Sequence, residues 1–275
     1  MAVNLAAKYS AKVDERFKLK SLTEVAVNRE YEWAGVDTVN VYSIPTVAMG
    51  DYTRTGLARY GVAAELQNTK QTLTLAKDRS FTFAIDRGNK DETMGVMDAG
   101  KALARQQDEV IIPEIDTYRL AAIAAAATAN AGTATVAVTA SNAYSNFLVM
   151  MEYFANNKVT LSGLVVFVSP AFYSFLKLDS SFIKQSETGQ KIAINGMVGE
   201  VDGAKIIRVP SIYLPASTAF LGCHPSATVA ADKLEDFKIH DNPPGINGSL
   251  VEGRIIYDAF VLTSRLKAVY QHKVI

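Results

Sequence analysis

Cysteine is nearly absent from this chain, and so are the residue groupings that catalysis requires. One cysteine among 275 residues, Cys223, excludes an internal disulfide. Only three histidines occur, His224, His240 and His272; they lie far apart, in no HExxH or CxxC-partnered set, so no metal site is expected. Charge of one sign is lacking too: 28 Lys plus Arg balance 28 Asp plus Glu. Tight neutralisation of phosphates needs a basic surplus, so a dedicated nucleic-acid binder is excluded, while copies of a neutral chain repel each other little. Long apolar runs are also missing. Lys8, Lys12, Asp14, Glu15 and Arg16 arrive too early for a secretory segment, and the stretch 120–140 is mostly Ala with Thr, Asn and Gly, too polar for a membrane span. Folding in a reducing cytoplasm, without a membrane partner, is the expectation.

What is present suffices for one or two cores, since 49% of residues are hydrophobic and 20% charged. The dominant stretch is Asp91 to Ala129. Met94, Met97, Leu103, Val110 and Ile111 recur near helical spacing, and after Pro113 the pattern resumes through Ile115, Tyr118, Leu120 and Ala124 to Ala127. Proline removes one backbone donor and crowds the preceding turn, so the spacing predicts a kinked helix or two helices end to end. A rod of that length, roughly 50 Å, outruns the core of one compact domain.

Before the rod, residues 1–36 carry mixed charge and scattered apolar residues, among them Phe17, Tyr31 and Trp33, which predicts an arm lying over something else. Val39, Val41, Tyr42 and Ile44 read as a strand ended by Pro45. Residues 48–70 are rich in Gly, Thr, Tyr and Arg, a loop too long for a compact domain unless it reaches another surface. Gln71 to Leu75 and Phe81 to Ile85 alternate apolar and polar, as a hairpin or as one extended strand.

Beyond the rod, Ser141 is the expected N-cap of a helix over 142–156 with the stripe Tyr144, Phe147, Leu148, Met151 and Phe154. Met150 and Met151 read as core rather than as a binding groove. Gly163 to Val168 is a strand buried on both faces; Ser169 caps and Pro170 opens a short helix. Val201-Asp202-Gly203-Ala204 is a hairpin turn ahead of a strand at 205–209. Short strands follow near 219–221 and from Phe237, then long extended segments at 250–262 and 266–272, the last expected in the domain that holds the rod.

No catalytic, cofactor-binding or metal residues emerge. Cys223 and His224 look like a thiol and base, but neighbours in an extended segment point to opposite faces. No GxSxG elbow, GxGxxG or phosphate loop occurs. Asp78, Asp86, Asp91 and Glu92 alternate with Lys77, Arg79, Arg87 and Lys90, which reads as an ionic strip rather than an acidic site.

The segments LTLAKDRSFTFAIDRGNKDET, VIIPEIDTYR, VFVSPAFYSFLKL, GMVGEVDGAKIIRVP, FLGCHPSA and IHDNPPGINGSLVEGRIIYDAFVL, in that order and spacing, resemble a tailed-phage major capsid protein of the Hong Kong 97-type fold. The resemblance runs from about residue 37 to the end and implies an α+β chain divided as follows. Residues 1–36 are an N-terminal arm. Residues 37–134 begin a peripheral domain, with an extended β loop at 48–85 and a long spine helix at 91–129. Residues 135–235 are an axial domain, and 236–275 are return strands of the peripheral domain. It implies a structural protein, not an enzyme, that forms the hexamers and pentamers of an icosahedral head enclosing double-stranded DNA, made in the host cytoplasm and residing in the virion. Its partners would be copies of itself, a separate scaffolding protein, a portal, a possible decoration protein, and DNA held weakly. Many relatives carry a removable N-terminal scaffolding segment; Met1 so near the first strand favours a separate scaffold here. The alternatives are a cellular nanocompartment shell of the same fold and an enzyme with a site near Ser169 to Tyr173.

Overall fold

Alternation of apolar and polar residues pairs the first two strands, β1 (Thr38–Ser43) and β2 (Thr69–Thr74), antiparallel as a two-stranded ribbon with Thr38 opposite Thr74. The computed structural model describes residues 21–31, 33, 38–63, 65–92, 98–179 and 197–274. The chain then turns away at Leu75 and Ala76 into β3 (Lys77–Asp86), which joins a different sheet. Residues 71–85 are therefore neither a hairpin nor one strand, and the reaching loop ends at β2 rather than at 85.

A short helix α1 (Arg87–Glu92) precedes the main one. Asp98 caps α2 (Ala99–Gln106) by accepting from Gly100 and Lys101 N–H at 3.0 and 3.3 Å, so the long helix begins at Ala99 and not at Asp91; Met94 and Met97 lie outside the described residues. One wide π turn, Gln107–Ile111, leads without a break into α3 (Ile112–Ala129). At that turn Ile112 N–H reaches back to Gln107 O, which inserts one extra residue just before Pro113 and opens the ladder where proline lacks its donor. The extra residue rotates the apolar face: Val110 is exposed, and Ile112 and Ile115 take its place in the core. The result is one continuous helical run of about 46 Å rather than two helices.

The remaining elements build two sheets. Ahead lie β4 (Thr133–Thr135), α4 (Ala143–Asn156), β5 (Val165–Val168), α5 (Pro170–Leu178), β6 (Met197–Val201), β7 (Ala204–Arg208), β8 (Thr218–Cys223), β9 (Thr228–Asp241), β10 (Gly248–Val261) and β11 (Val269–Lys273). Six strands in the order β4-β11-β8-β5-β7-β6 form a sheet covered on one face by α4 and α5 and on the other by α3. Val165 to Val168 are all buried because both faces are occupied. The other sheet, β3-β10-β9, packs against α2 and the start of α3 through Leu103, Ile112, Ile115, Val251, Ile255 and Tyr257.

Two expectations about this arrangement fail. β9 runs unbroken across the supposed boundary at 235/236. The C-terminal strand β11 lies inside the six-stranded sheet between β4 and β8, its Val269 facing α3 and its Tyr270 facing α4. Ser141 is not the cap of α4 either: Asn142 holds that position, and its amide turns back to Thr139 N and Ala137 O. Asp179 supplies the missing acceptor, taking Tyr144 N–H at 3.1 Å. The Asp202-Gly203 turn has φ of 49 and 80, as a two-residue hairpin requires.

Residues 21–31 and Trp33 strap the helix to both sheets. Buried Asp116 accepts from Ser21 Oγ and Thr23 Oγ1, each at 2.6 Å, and from Leu22 N–H at 3.0 Å. Arg119, only 1% exposed, reaches Glu24 at 3.3 Å and Asp232 at 3.6 Å, and Arg29 bridges the same two carboxylates at 2.7 and 3.0 Å. Burial alone lowers the Arg29 pKa, but Asp232 and Glu24 more than offset it and hold the guanidinium above its ordinary range. Farther on, Asn28 bridges to Val229 and the Thr228 hydroxyl bonds Ala26 O.

Two substitutions test this packing. Asp116→Ala strands three donors that converge on a buried carboxylate, and unfolding experiments are expected to show a loss of roughly 3–5 kcal/mol with faster proteolysis within residues 21–33. Gly253 lies under the rings of Phe81 and Phe237, where any Cβ collides. Gly253→Val is expected to cost about 1–3 kcal/mol in urea unfolding by displacing those rings from the β3-β10-β9 sheet.

Candidate functional site

The reaching loop is the least complete surface of the molecule. Its base is rigid: Trp33 is buried and stacks on Phe260 with ring centroids 5.8 Å apart, beside Leu73 and Ala231. Gln71 locks β2 to the end of β10, donating to Val261 O at 3.1 Å and accepting from Thr263 N and Oγ1 at 2.8 and 3.0 Å. Between Ser43 and Thr69 the described residues form no helix or strand. Thr53 N–H bonds Arg59 O at 3.1 Å and Tyr52 meets Tyr60 edge-on at 5.0 Å, so the tip folds upon itself. Met49, Leu57, Tyr60 and Val62 are 100, 106, 93 and 93% exposed. Covering one such side chain contributes about 1.5–3 kcal/mol, so a tip that leaves several bare is built to be covered.

The residues singled out by sequence do not converge. Cys223 is fully buried on β8 against α3, and burial pushes its thiol up to about 12, which keeps it protonated and inert. His224 turns away to Ser226 Oγ at 2.7 Å and to Ser162 O at 3.3 Å. His240 pairs with Glu252 at 3.3 Å. His272 stacks on Phe220 at 4.7 Å, with burial lowering its pKa and a hydrogen bond to Val136 O opposing that. Among the described residues no three His, Cys, Asp or Glu group as metal ligands, and no helix is long and apolar enough to cross a membrane.

Three members of the charged strip form ion pairs, each with a partner outside it. Asp78 pairs with Arg254 at 2.5 Å, which holds the Asp78 carboxyl below its ordinary range, Arg79 pairs with Glu114 at 2.8 Å, and Lys90 with Asp98 at 3.6 Å. Near the other suspected site, Ser169 spends its hydroxyl accepting from Phe172 N–H at 3.2 Å, capping α5, and Tyr173 carries Lys177 and Arg208 over its ring. Met150 and Met151 are both buried under the six-stranded sheet. An open groove of about 510 Å³ runs along α3 between Lys77, Pro113, Tyr118, Ile212, Tyr213 and Tyr257; it is mostly apolar.

Sequence reasoning missed the strap. Its signal was available, because Asp116 and Arg119 stand three residues apart on the buried side of an alanine-rich helix, where unpaired charge is not tolerated. Their partners at Ser21, Thr23, Glu24 and Asp232 are too distant in the chain for spacing to reveal.

Comparison with known proteins adds an independent line. A family model described as phage capsid protein matches residues 69–271, well over half of the chain. Among solved structures, a chain from Mycobacterium phage Che8 superposes with a TM-score of 0.66 at 19% identity, covering 92% of this chain and 90% of that one. The capsid structure of cyanophage P-SCSP1u gives 0.69 at 14% identity, covering 91% and 86%. The virus-like particle from Pyrococcus furiosus gives 0.57 at 11% identity, covering 98% and 100%. No curated protein matches by sequence. A long helix shared by two sheets, a loop left bare on the lone molecule and a family match across both sheets lead to one conclusion: the chain belongs to the phage capsid protein family and is a major capsid protein, a structural subunit that associates with its own copies into the shell of the virion.

Proposed function

We propose that this protein forms the hexamers and pentamers of an icosahedral head enclosing double-stranded DNA, with each copy reaching over its neighbour. The six-stranded sheet with α4 and α5 is the axial unit that meets its copies around the five- and sixfold centres. The β3-β10-β9 sheet with α2 and the first half of α3 is the peripheral unit, the helical run from 99 to 129 its spine, residues 38–74 the extended loop, and residues 1–36 the N-terminal arm. The single observation that carries this reading is the loop, whose root is fixed by Trp33 and Gln71 while its apolar tip stays exposed among the described residues. Many modest contacts of this kind, repeated in every copy, add into a stable closed surface.

The zero formal charge supports a weak, non-specific contact with packaged DNA. A separate scaffolding protein, a portal and a decoration protein complete the set of partners, and synthesis takes place in the host cytoplasm. Ser169, buried and committed to capping α5, supports a structural rather than catalytic role for the segment that could have formed an active site. The nanocompartment alternative is the weaker one, because the matched family is of phage capsids.

Replacing the bare tip tests the proposal. Leu57→Ser, Tyr60→Ser and Val62→Ser together are expected to change the stability of the dissociated chain by no more than about 0.5 kcal/mol each, since these side chains touch little within one copy. Particles counted by electron microscopy of the expressed protein are expected to disappear. Normal particles from this variant would refute the role given to the loop.

A further inference from the structure

A second feature without a counterpart among the described residues lies toward the far edge of the six-stranded sheet. Tyr173 sits on α5, Lys177 follows one helical turn later, and Arg208 ends β7. Parallel pairing sets Arg208 beside Val168, two residues before α5 begins, and so delivers it to the same ring. Lys177 Nζ lies 5.4 Å and Arg208 Cζ 5.6 Å from the Tyr173 centroid. Both cations are exposed, and neither meets a carboxylate among the described residues. Two like charges at one ring repel each other; the π face offsets part of that, and an incoming carboxylate would relieve the rest.

The other end of the same strand is anionic. Glu200 and Asp202 are exposed at the β6–β7 turn, and the position opposite Glu200 is three residues from Arg208, or about 10 Å along β7. Lys205 stands opposite Glu200 in the register but makes no ion pair with it among the described residues, and Asp202 accepts only a 3.3 Å bond from Tyr144 OH. The β6–β7 hairpin and α5 therefore present a cationic end that meets no carboxylate among the described residues and an anionic end. A head-to-tail ring is the arrangement that uses two different, complementary patches on every copy, whereas a twofold contact needs one self-complementary patch.

We propose that in the capsomer ring the Lys177–Tyr173–Arg208 clamp of one copy receives the Glu200 and Asp202 carboxylates of the next copy. Leu178, 67% exposed beside Lys177, gives the contact an apolar margin. Packaged DNA is the weaker occupant, because two isolated cations on a neutral chain are not the basic stripe that tracks a phosphate backbone. The assignment rests on the ring arrangement proposed above.

Charge exchange tests it with full-length chains. One variant carries Lys177→Glu and Arg208→Glu. The other carries Glu200→Lys and Asp202→Asn, asparagine being chosen because Asp202 has positive φ. Each alone, checked as folded by circular dichroism, is expected to lose at least tenfold in ring and particle yield by native mass spectrometry and electron microscopy. An equimolar mixture is expected to restore six-membered rings, in which the variants alternate, but not five-membered ones, and a chain with all four changes is expected to restore both. If the glutamates prevent folding, Lys177→Gln with Arg208→Gln is expected to lower ring yield several-fold. Wild-type yields from either clamp variant, or a mixture that fails to assemble, would overturn the clamp while leaving the ring intact. Clamp variants that assemble normally but package less DNA would assign the cations to nucleic acid instead. Wild-type protein that forms no rings would overturn the ring arrangement and the clamp with it.

Discussion

One helix serving two sheets is the constraint on which the rest of this structure depends. Leu103, Ile112 and Ile115 pack the run against β3-β10-β9, and Leu120, Ile123, Ala124 and Ala127 pack its other half against the six-stranded sheet. The π turn at Gln107–Ile111 lies between Leu103 and Ile112, and its one added residue keeps both on the side of the run that faces β3-β10-β9. Pro113, harmful in a regular ladder, is tolerated immediately beyond that wide turn. The alanines of the second half keep the helix close to the sheet, and for the same reason they give it few bulky anchors of its own.

Polar contacts compensate for that thin apolar contact. The strap from Ser21 to Trp33 starts on Asp116, crosses the Arg119–Glu24–Arg29–Asp232 network and ends under the loop root, where Trp33 meets Phe260 and Leu73. Buried ion pairs of this sort are poor sources of net stability, because desolvation offsets most of the Coulomb gain. They are demanding of geometry, though, since every partner must be in place at once. The strap thus fixes where the loop leaves the body relative to the long helix, and a subunit that must present the same loop to every neighbour needs that angle fixed.

Local chemistry was legible in the sequence where neighbours in the chain are neighbours in space. The GLVVFV strand, the Ser169 cap with Pro170 after it, the Asp-Gly hairpin turn and the core placement of Met150 and Met151 all depend on a few adjacent residues. What failed depended on distant partners. Periodicity gave Val110 to the core because spacing alone does not reveal the residue inserted at the π turn. β2 and β3 are two residues apart yet join different sheets, and β11 pairs with β4, which lies more than 100 residues earlier. Strand alternation is blind to such choices, since the same pattern satisfies either sheet. The Asp116 and Arg119 pair, which ties the strap to the long helix, was hidden inside a stretch that reads as plain helix.

The molecule is finished on the faces that touch its own core and unfinished on the loop tip. On the proposed arrangement the missing half of each such surface belongs to another copy. Cryo-electron microscopy of purified particles addresses that directly: residues 44–68 of each subunit should lie against a neighbouring copy, with Leu57, Tyr60 and Val62 removed from solvent. Loops that remain solvated in the assembled shell, or that fold back onto their own subunit, would contradict it.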